Sequence, residues 1–193
     1  MIYLSDIPDS ISPAELERAL SSISPQRYKQ AIKYKFDLDR MLCAKSYLLL
    51  KQGLEQEYGI KENPIFEYSE HGKPSIQGLP GIHFNLSHCK KGVICALDHQ
   101  PVGIDIEQII PFDPAVAQFV LNSQEYREVV HSPNPDIAFI RLWTMKESLL
   151  KLTGEGIRND LKTLLTSSRQ NGYQFHTVVH AERRYVYTLC RYQ

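Results

Sequence analysis

Three acids carry the clearest chemical content of this chain. Asp105 and Glu107 stand two residues apart in PVGIDIEQ, and Glu147 lies in RLWTMKESLLKLTGEG. On a strand, residues two apart project from one face. Asp105 and Glu107 can therefore share a cleft while Ile104 and Ile106 turn to the core. Neighbouring carboxylates repel unless a proton or a cation compensates. Mg²⁺ suits such a pair, because it takes one or two protein carboxylates and completes its shell with waters and phosphate oxygens. The bland alternative is a solvated strand end. Glu147 adds a third carboxylate from a helix, with Lys146 and Lys151 close by. Taken alone, Glu147 and Lys151 at i,i+4 would make an ordinary surface pair. Together, acids with adjacent ammonium groups suit a divalent metal and a phosphate ester better than a packed core.

The elements that must position these groups can be read from the same sequence. A strand is expected over 102–106, after a turn at 98–101 and a strand over 93–97. The apolar residues Leu142, Met145, Leu149 and Leu152 predict a helix over 137–152, with Lys146 and Glu147 on its opposite side and Gly154 and Gly156 ending it. Earlier, a strand is expected at 2–4, and helices after Ser12-Pro13 and after Ser24-Pro25, the latter running through QRYKQAIKYK. A third helix spans 37 to about 54. Residues 65–97 contain short β-prone pieces broken by Gly, Pro and Asn. Short helices near 115–120 and 123–130 follow, and two late strands near 173–179 and 184–190. The order strand, helices, β-rich segment occurs in both halves, without a repeated sequence string. This favours an α+β fold over a doubly wound sheet. No G-x-G-x-x-G or G-x-x-x-x-G-K-[ST] run supports a dinucleotide or P-loop site.

Composition sets the outer limits. The chain has 193 residues, enough for one domain or two small lobes sharing a core, and is 42% hydrophobic and 23% charged. Lys+Arg and Asp+Glu are both 22, and this balance argues against nucleic acid as the main partner. The beginning MIYLSDIPDS has no signal-peptide pattern, and the apolar runs fall short of a membrane span. A cytoplasmic protein with no membrane partner is expected. The cysteines Cys43, Cys89, Cys95 and Cys190 have no CxxC spacing, so a thiolate zinc site is not expected. Cys95 and Cys190 are expected to be buried.

The runs GIDIE (103–107) and WTMKESLLKLTGEG (143–156) resemble the two hallmark motifs of the 4′-phosphopantetheinyl transferases, in particular the surfactin-synthetase-activating type. HGKP (71–74), FNLSH (84–88) and FDLDRMLCAKSYL (36–48) agree in order and spacing, so the resemblance covers nearly the whole chain. It implies two similar α/β lobes in a pseudo-twofold arrangement, with an N-terminal lobe over 1–98 and a C-terminal lobe over 99–193 that carries the metal site. It also implies Mg²⁺-dependent transfer of phosphopantetheine from coenzyme A to a serine of an acyl or peptidyl carrier protein, releasing adenosine 3′,5′-bisphosphate. By position, Asp105, Glu107 and Glu147 match the metal-holding acids, and Glu147 also matches a residue that helps deprotonate the carrier serine. Arg40, Lys73, Ser87 and His88 match residues that bind the coenzyme's phosphates and adenosine end. Pro74 matches a position lining the adenine pocket. Lys146 and Lys151 match lysines near the α-phosphate, where leaving-group charge builds. Arg27 and Lys29 fall near a basic patch for the 3′-phosphate.

A monomer is expected, since paired lobes need no second subunit. Ser87 and His88 are not expected to form a nucleophile–base pair, because adjacent residues on an extended segment face opposite ways. The chain departs from the family pattern at Glu155, which replaces a lysine between the glycines, and in its shorter end. These departures leave a coenzyme-binding but inactive protein as the second reading. A third reading, independent of them, is another Mg²⁺ enzyme such as a phosphohydrolase, which nothing in the GKP or LSH segments calls for.

Overall fold

In the computed structural model, residues 1–156, 161–170 and 172–193 are described. The chain begins with β1 (Ile2–Asp6), followed by α1 (Pro13–Ser21), α2 (Pro25–Ala31) and α3 (Asp37–Tyr58). The middle is β2 (Phe66–Tyr68), β3 (Pro74–Ile76), β4 (His83–Cys89), β5 (Gly92–Asp98) and β6 (Val102–Gln108). Then come α4 (Pro114–Val120), α5 (Ser123–Val130), α6 (Pro135–Thr153), α7 (Leu161–Gln170), β7 (Tyr173–His180) and β8 (Tyr185–Tyr192). The fold is mixed α+β, as expected.

Local chemistry explains most boundaries. Ser12 and Glu15 form a reciprocal capping box at α1, and Asn122 and Glu125 do the same at α5. Ser24 Oγ accepts from the Arg27 N–H at α2, and Asn134 Oδ1 from the Ile137 N–H at α6. Helix α2 stops at Ala31, short of the expected run through Lys35, because residues 32–36 turn the chain into α3. Helix α3 runs a turn beyond Leu54 and ends at Gly59, whose φ of 68° is left-handed. Helix α7 has no counterpart in the sequence reading. Its LKTLLTSSRQ is rich in Ser and Thr, which favour caps and turns over helix interiors.

Two three-stranded antiparallel sheets have the orders β1-β5-β4 and β6-β8-β7, and β2-β3 form a separate hairpin. Alternation on β5 serves two cores. Val93, Cys95 and Leu97 pack on Leu42, Leu50 and Leu54 of α3. Ile94 and Ala96 join Ile104, Ile106, Tyr185 and Leu189 in an apolar layer between the sheets. A further core joins α4, α5 and α6 through Val120, Val129, Phe139, Ile140 and Leu150. All four cysteines are buried and unpaired. Among the described residues no helix is long and apolar enough to cross a membrane.

Strands β4 and β6 lie side by side without a backbone ladder. Side chains of β4 take its place: Asn85 Oδ1 accepts from the Ile104 N–H at 2.9 Å, and Ser87 Oγ from the Ile106 N–H at 3.3 Å. This junction between the sheets carries the site.

Candidate active site

Asp105 sits at the centre of the junction and is 2% exposed. Its Oδ1 accepts from Ser87 Oγ at 2.9 Å and from the Lys151 ammonium at 2.6 Å. Lys151 also donates to Ser87 Oγ at 2.8 Å. Helix α6 therefore reaches across to the strands, and Lys151 pairs with Asp105 rather than with Glu147 on its own helix. The other oxygen, Asp105 Oδ2, is buried and has no hydrogen-bond partner. A buried carboxylate oxygen left bare is costly unless a further group completes it.

Glu107 follows on the same face of β6 and accepts from Trp143 Nε1 at 3.3 Å. Burial first, and then the Asp105 charge, push its carboxyl up to about 7; Trp143 and Lys151 oppose this. Glu147 is raised by the same two causes in the same order. The Asp105 charge thus raises both glutamates, Glu147 adds to the rise of Glu107, and Lys151 offsets the excess of negative charge only in part. Among the described residues, no three His, Cys, Asp or Glu side chains form a ready-made metal cage. Divalent-cation binding here would have to draw further oxygens from solvent or substrate.

The close contact of strand and helix depends on Gly103. A Cβ there would lie 2.0 Å from the Ser148 carbonyl oxygen and 2.5 Å from the Leu152 nitrogen, so α6 rests on the bare backbone of β6. Gly154, with φ of 74°, ends α6 in the left-handed region.

Beside the acids lies a cleft of 240 Å³, walled by Lys73, Pro74, Leu86, Glu147, Lys151 and Gly154 among others. Lys73 reaches it from the β2–β3 hairpin. Its half-buried ammonium donates to the Leu152 carbonyl at 2.7 Å, capping the negative end of α6. Burial holds that ammonium below its ordinary range.

The sequence-predicted residues thus fall into groups. Asp105, Glu107, Glu147 and Lys151 converge, and Lys73 and Pro74 line the adjoining cleft. Ser87 stands behind Asp105 as a support rather than at the cleft surface. His88 faces outward, as strand alternation requires, and its imidazole is held below its ordinary range by its packed surroundings, by Lys151 and by Arg27. Arg40 is turned onto its own helix start, donating to Asp37 Oδ1 and the Tyr34 carbonyl, both at 3.0 Å. Arg27 spans α2 and α3, donating to the Cys43 carbonyl from Nε and Nη2. Glu155 is exposed just beyond the end of α6.

Lys146 requires a correction. It was expected beside Glu147 at the phosphates, but it is fully buried on another side of α6. Its ammonium donates to Glu125 Oε2 at 2.9 Å and to the Leu161 carbonyl at 2.6 Å. Glu125 Oε2 also accepts from the Asn122 N–H, so the acid ties the cap of α5 to Lys146 on α6, and Lys146 in turn reaches the start of α7. The physical reason is that α6 is enclosed on several sides, so a polar residue off the apolar stripe need not meet solvent. Glu125, Asn85, Trp143 and Gly103 carry roles that the sequence reading did not assign. Trp143 sits in the helix motif itself, whereas Glu125 acts over 21 residues and leaves no local pattern.

Comparison with known proteins bears on this geometry. Residues 101–190, which contain β6, α6, β7 and most of β8, match the family model of the 4′-phosphopantetheinyl transferase superfamily. The chain is 32% identical over 174 residues to the 4′-phosphopantetheinyl transferase psf-1 of Bacillus pumilus, covering 89% of this chain and 75% of that protein. It is 33% identical over 165 residues to the 4′-phosphopantetheinyl transferase Sfp of Bacillus subtilis (strain 168), covering 84% and 74%. A third similar protein is the 4′-phosphopantetheinyl transferase gsp of Aneurinibacillus migulanus, 32% identical over 154 residues, with 78% and 64% covered. With identity of about a third to these enzymes over most of its length, and a family-model match that spans β6 and α6, the chain belongs to the 4′-phosphopantetheinyl transferase superfamily.

Proposed function

We propose that this transferase moves the 4′-phosphopantetheine arm of coenzyme A onto a serine hydroxyl of an acyl or peptidyl carrier protein, with Mg²⁺ bound at Asp105, Glu107 and Glu147. The observation that carries the metal assignment is Asp105 Oδ2, buried and unpartnered while its twin oxygen is held by Ser87 and Lys151. The upward shifts of Glu107 and Glu147, to which burial and then the Asp105 charge contribute, support it, since a cation would relieve both. When bound, Mg²⁺ would polarise the pyrophosphate oxygens and neutralise part of their charge.

The serine oxygen forms a bond to the phosphorus that carries the pantetheine, and the pyrophosphate bridge breaks. Adenosine 3′,5′-bisphosphate leaves with the bridging oxygen. Glu147 takes the serine proton, a task suited to a carboxylate whose proton affinity is raised by burial and by Asp105. Lys151 sets fixed positive charge where the leaving phosphate becomes more negative, which lowers the barrier more than it tightens ground-state binding. Lys73 and Pro74 receive the coenzyme in the adjoining cleft, and Ser87 keeps Asp105 and Lys151 aligned. Arg40 and His88 are assigned to the coenzyme's phosphate and adenosine end from sequence position.

The same reading divides the chain into lobes 1–98 and 99–193 related by a pseudo-twofold axis. The matching orders of the two sheets support it, each with its first strand paired to its last and its penultimate strand at the far edge. It also includes a monomer working in the cytoplasm, where four unpaired buried thiols are at home.

Asp105→Asn tests the metal assignment. The variant should fold, bind Mn²⁺ at least tenfold more weakly by calorimetry, and lose transfer to an unmodified carrier by roughly 10²-fold or more in a mass assay. Wild-type metal affinity with wild-type turnover would overturn it.

A further inference from the structure

The turn from α2 into α3 exposes an unusual surface. Tyr28, Ile32, Tyr34 and Phe36 are 42%, 45%, 41% and 62% exposed, four large apolar side chains within nine residues. The same nine residues contain Lys29, Lys33 and Lys35, all exposed, and no acid. The rest of the chain must therefore be net negative, since the whole is neutral. Of the residues of α2, only Ala31 is buried, so this short helix serves the core little and presents most of its side chains outward. Lys35 lies 5.4 Å from the Phe36 ring, which keeps charge and apolar surface in one patch. Exposed apolar groups gathered beside like charges mark a binding surface rather than an idle one.

The corner is also tied through α3 to β4: Arg27 donates to the Cys43 carbonyl, and Leu42 of α3 packs in one core with Phe84 of β4. Arg27 at the start of α2 and Asp39 in the first turn of α3 both act electrostatically on His88, whose neighbour Ser87 holds Asp105 and Lys151.

We propose that this corner docks the carrier protein, engaging an acidic helical face on which apolar side chains are interspersed. The inference rests on the transfer reading above and adds where the protein substrate sits. Charge complementarity selects the partner: Lys33 and Lys35, which the family resemblance does not give to the coenzyme, attract a negative surface and speed encounter. The four apolar groups supply contact area that desolvates on docking, which a free anion would not need.

The test varies the carrier and coenzyme A independently, using an unmodified acyl carrier protein. With Lys33→Glu and Lys35→Glu combined, the carrier KM should rise about tenfold at low ionic strength, with the gap narrowing toward about 0.5 M salt. The coenzyme KM should stay within about twofold, and kcat should be retained. With Tyr34→Ser and Phe36→Ser combined, the carrier KM should rise at every salt concentration. An unchanged carrier KM in both variants overturns the proposal. So does a rise in coenzyme KM instead, which would give the lysines to the coenzyme. Loss of sedimentation with phosphatidylserine vesicles at unchanged carrier KM would give the corner to a membrane and equally overturn it. Direct binding of a carrier whose acceptor serine is changed to alanine reads docking without turnover. Weakened binding in the lysine variant supports the corner even if wild-type protein transfers nothing, an outcome that would defeat only the transfer reading.

Discussion

At the scale of single residues, the site is a charge imbalance held in place by hydrogen bonds. Glu107 is raised from its ordinary 4.5 to about 7. A carboxyl raised in the fold favours the protonated form, so its stabilising contribution is complete below about pH 4.5 and is lost as pH rises through 7. Without metal, wild type should therefore lose stability relative to Glu107→Gln as pH rises from about 5 to 8. Partly screened by solvent, the difference should be about 2 kcal/mol. Thermal melts of the two proteins across that range measure it, and Mg²⁺ at pH 8 should raise the midpoint of wild type more than that of the variant. An identical pH slope in both would show that Glu107 does not carry the imbalance. Much of this scale was legible. The spacing of Asp105 and Glu107 in a β-prone run foretold a common face, and Ile104 and Ile106 are indeed core residues. Strand alternation likewise separated Ser87 from His88. What spacing did not reveal was that Ser87 faces inward to Asp105, because that bond joins strands 18 residues apart.

At the scale of elements, α6 is the piece on which the site depends. It delivers Trp143, Glu147 and Lys151 toward β6, and Lys146 fastens it from behind to α5 and α7. Removing one partner of a buried ion pair leaves the other charged and unpaired, at a cost of about 3–5 kcal/mol. Lys146→Met should therefore melt well below wild type in calorimetry, and adding Glu125→Leu should recover much of the loss. In that double variant kcat and the coenzyme KM should both remain within about twofold of wild type, whereas Lys151→Met should lower kcat. A KM defect that persists in the stable double variant would return Lys146 to the phosphates. The helix itself was evident from its apolar spacing and terminal glycines. Its buried lysine was not, because one helix read alone does not disclose that α5 and α7 cover its other sides. The same limit hid α7, whose Ser and Thr residues mask the Leu161, Leu164 and Leu165 pattern that packs it.

At the scale of the whole molecule, two similar sheets meet where a ladder is missing. Asn85 and Ser87 bridge β4 to β6 in place of backbone pairing, so the site and the junction depend on the same strands. Asn85→Ala would leave the buried Ile104 N–H unpartnered, costing about 1–3 kcal/mol. Hydrogen exchange should then quicken at Ile104 and along β6 before it quickens in α3, and transfer activity should decline with it. Equal protection of β6 in both proteins would show that the junction is held by the apolar layer alone. The order of elements in the two halves was readable from sequence, but their junction was not, since it rests on side chains 19 residues apart meeting backbone groups.

The bare backbone of Gly103 makes the gap between strand and helix a fixed dimension of the enzyme. Most active sites can absorb a small error by rotating a side chain. Here the spacer is the absence of one carbon atom, pressed against main-chain atoms that have no rotamers to adjust. An alanine would lever α6 outward by on the order of 1 Å, and misplacement of that size is enough to cost about 10²-fold in rate. Tuning of this enzyme, by evolution or by design, is therefore freer at the outer surfaces that meet its partners than at the seam that sets its gauge.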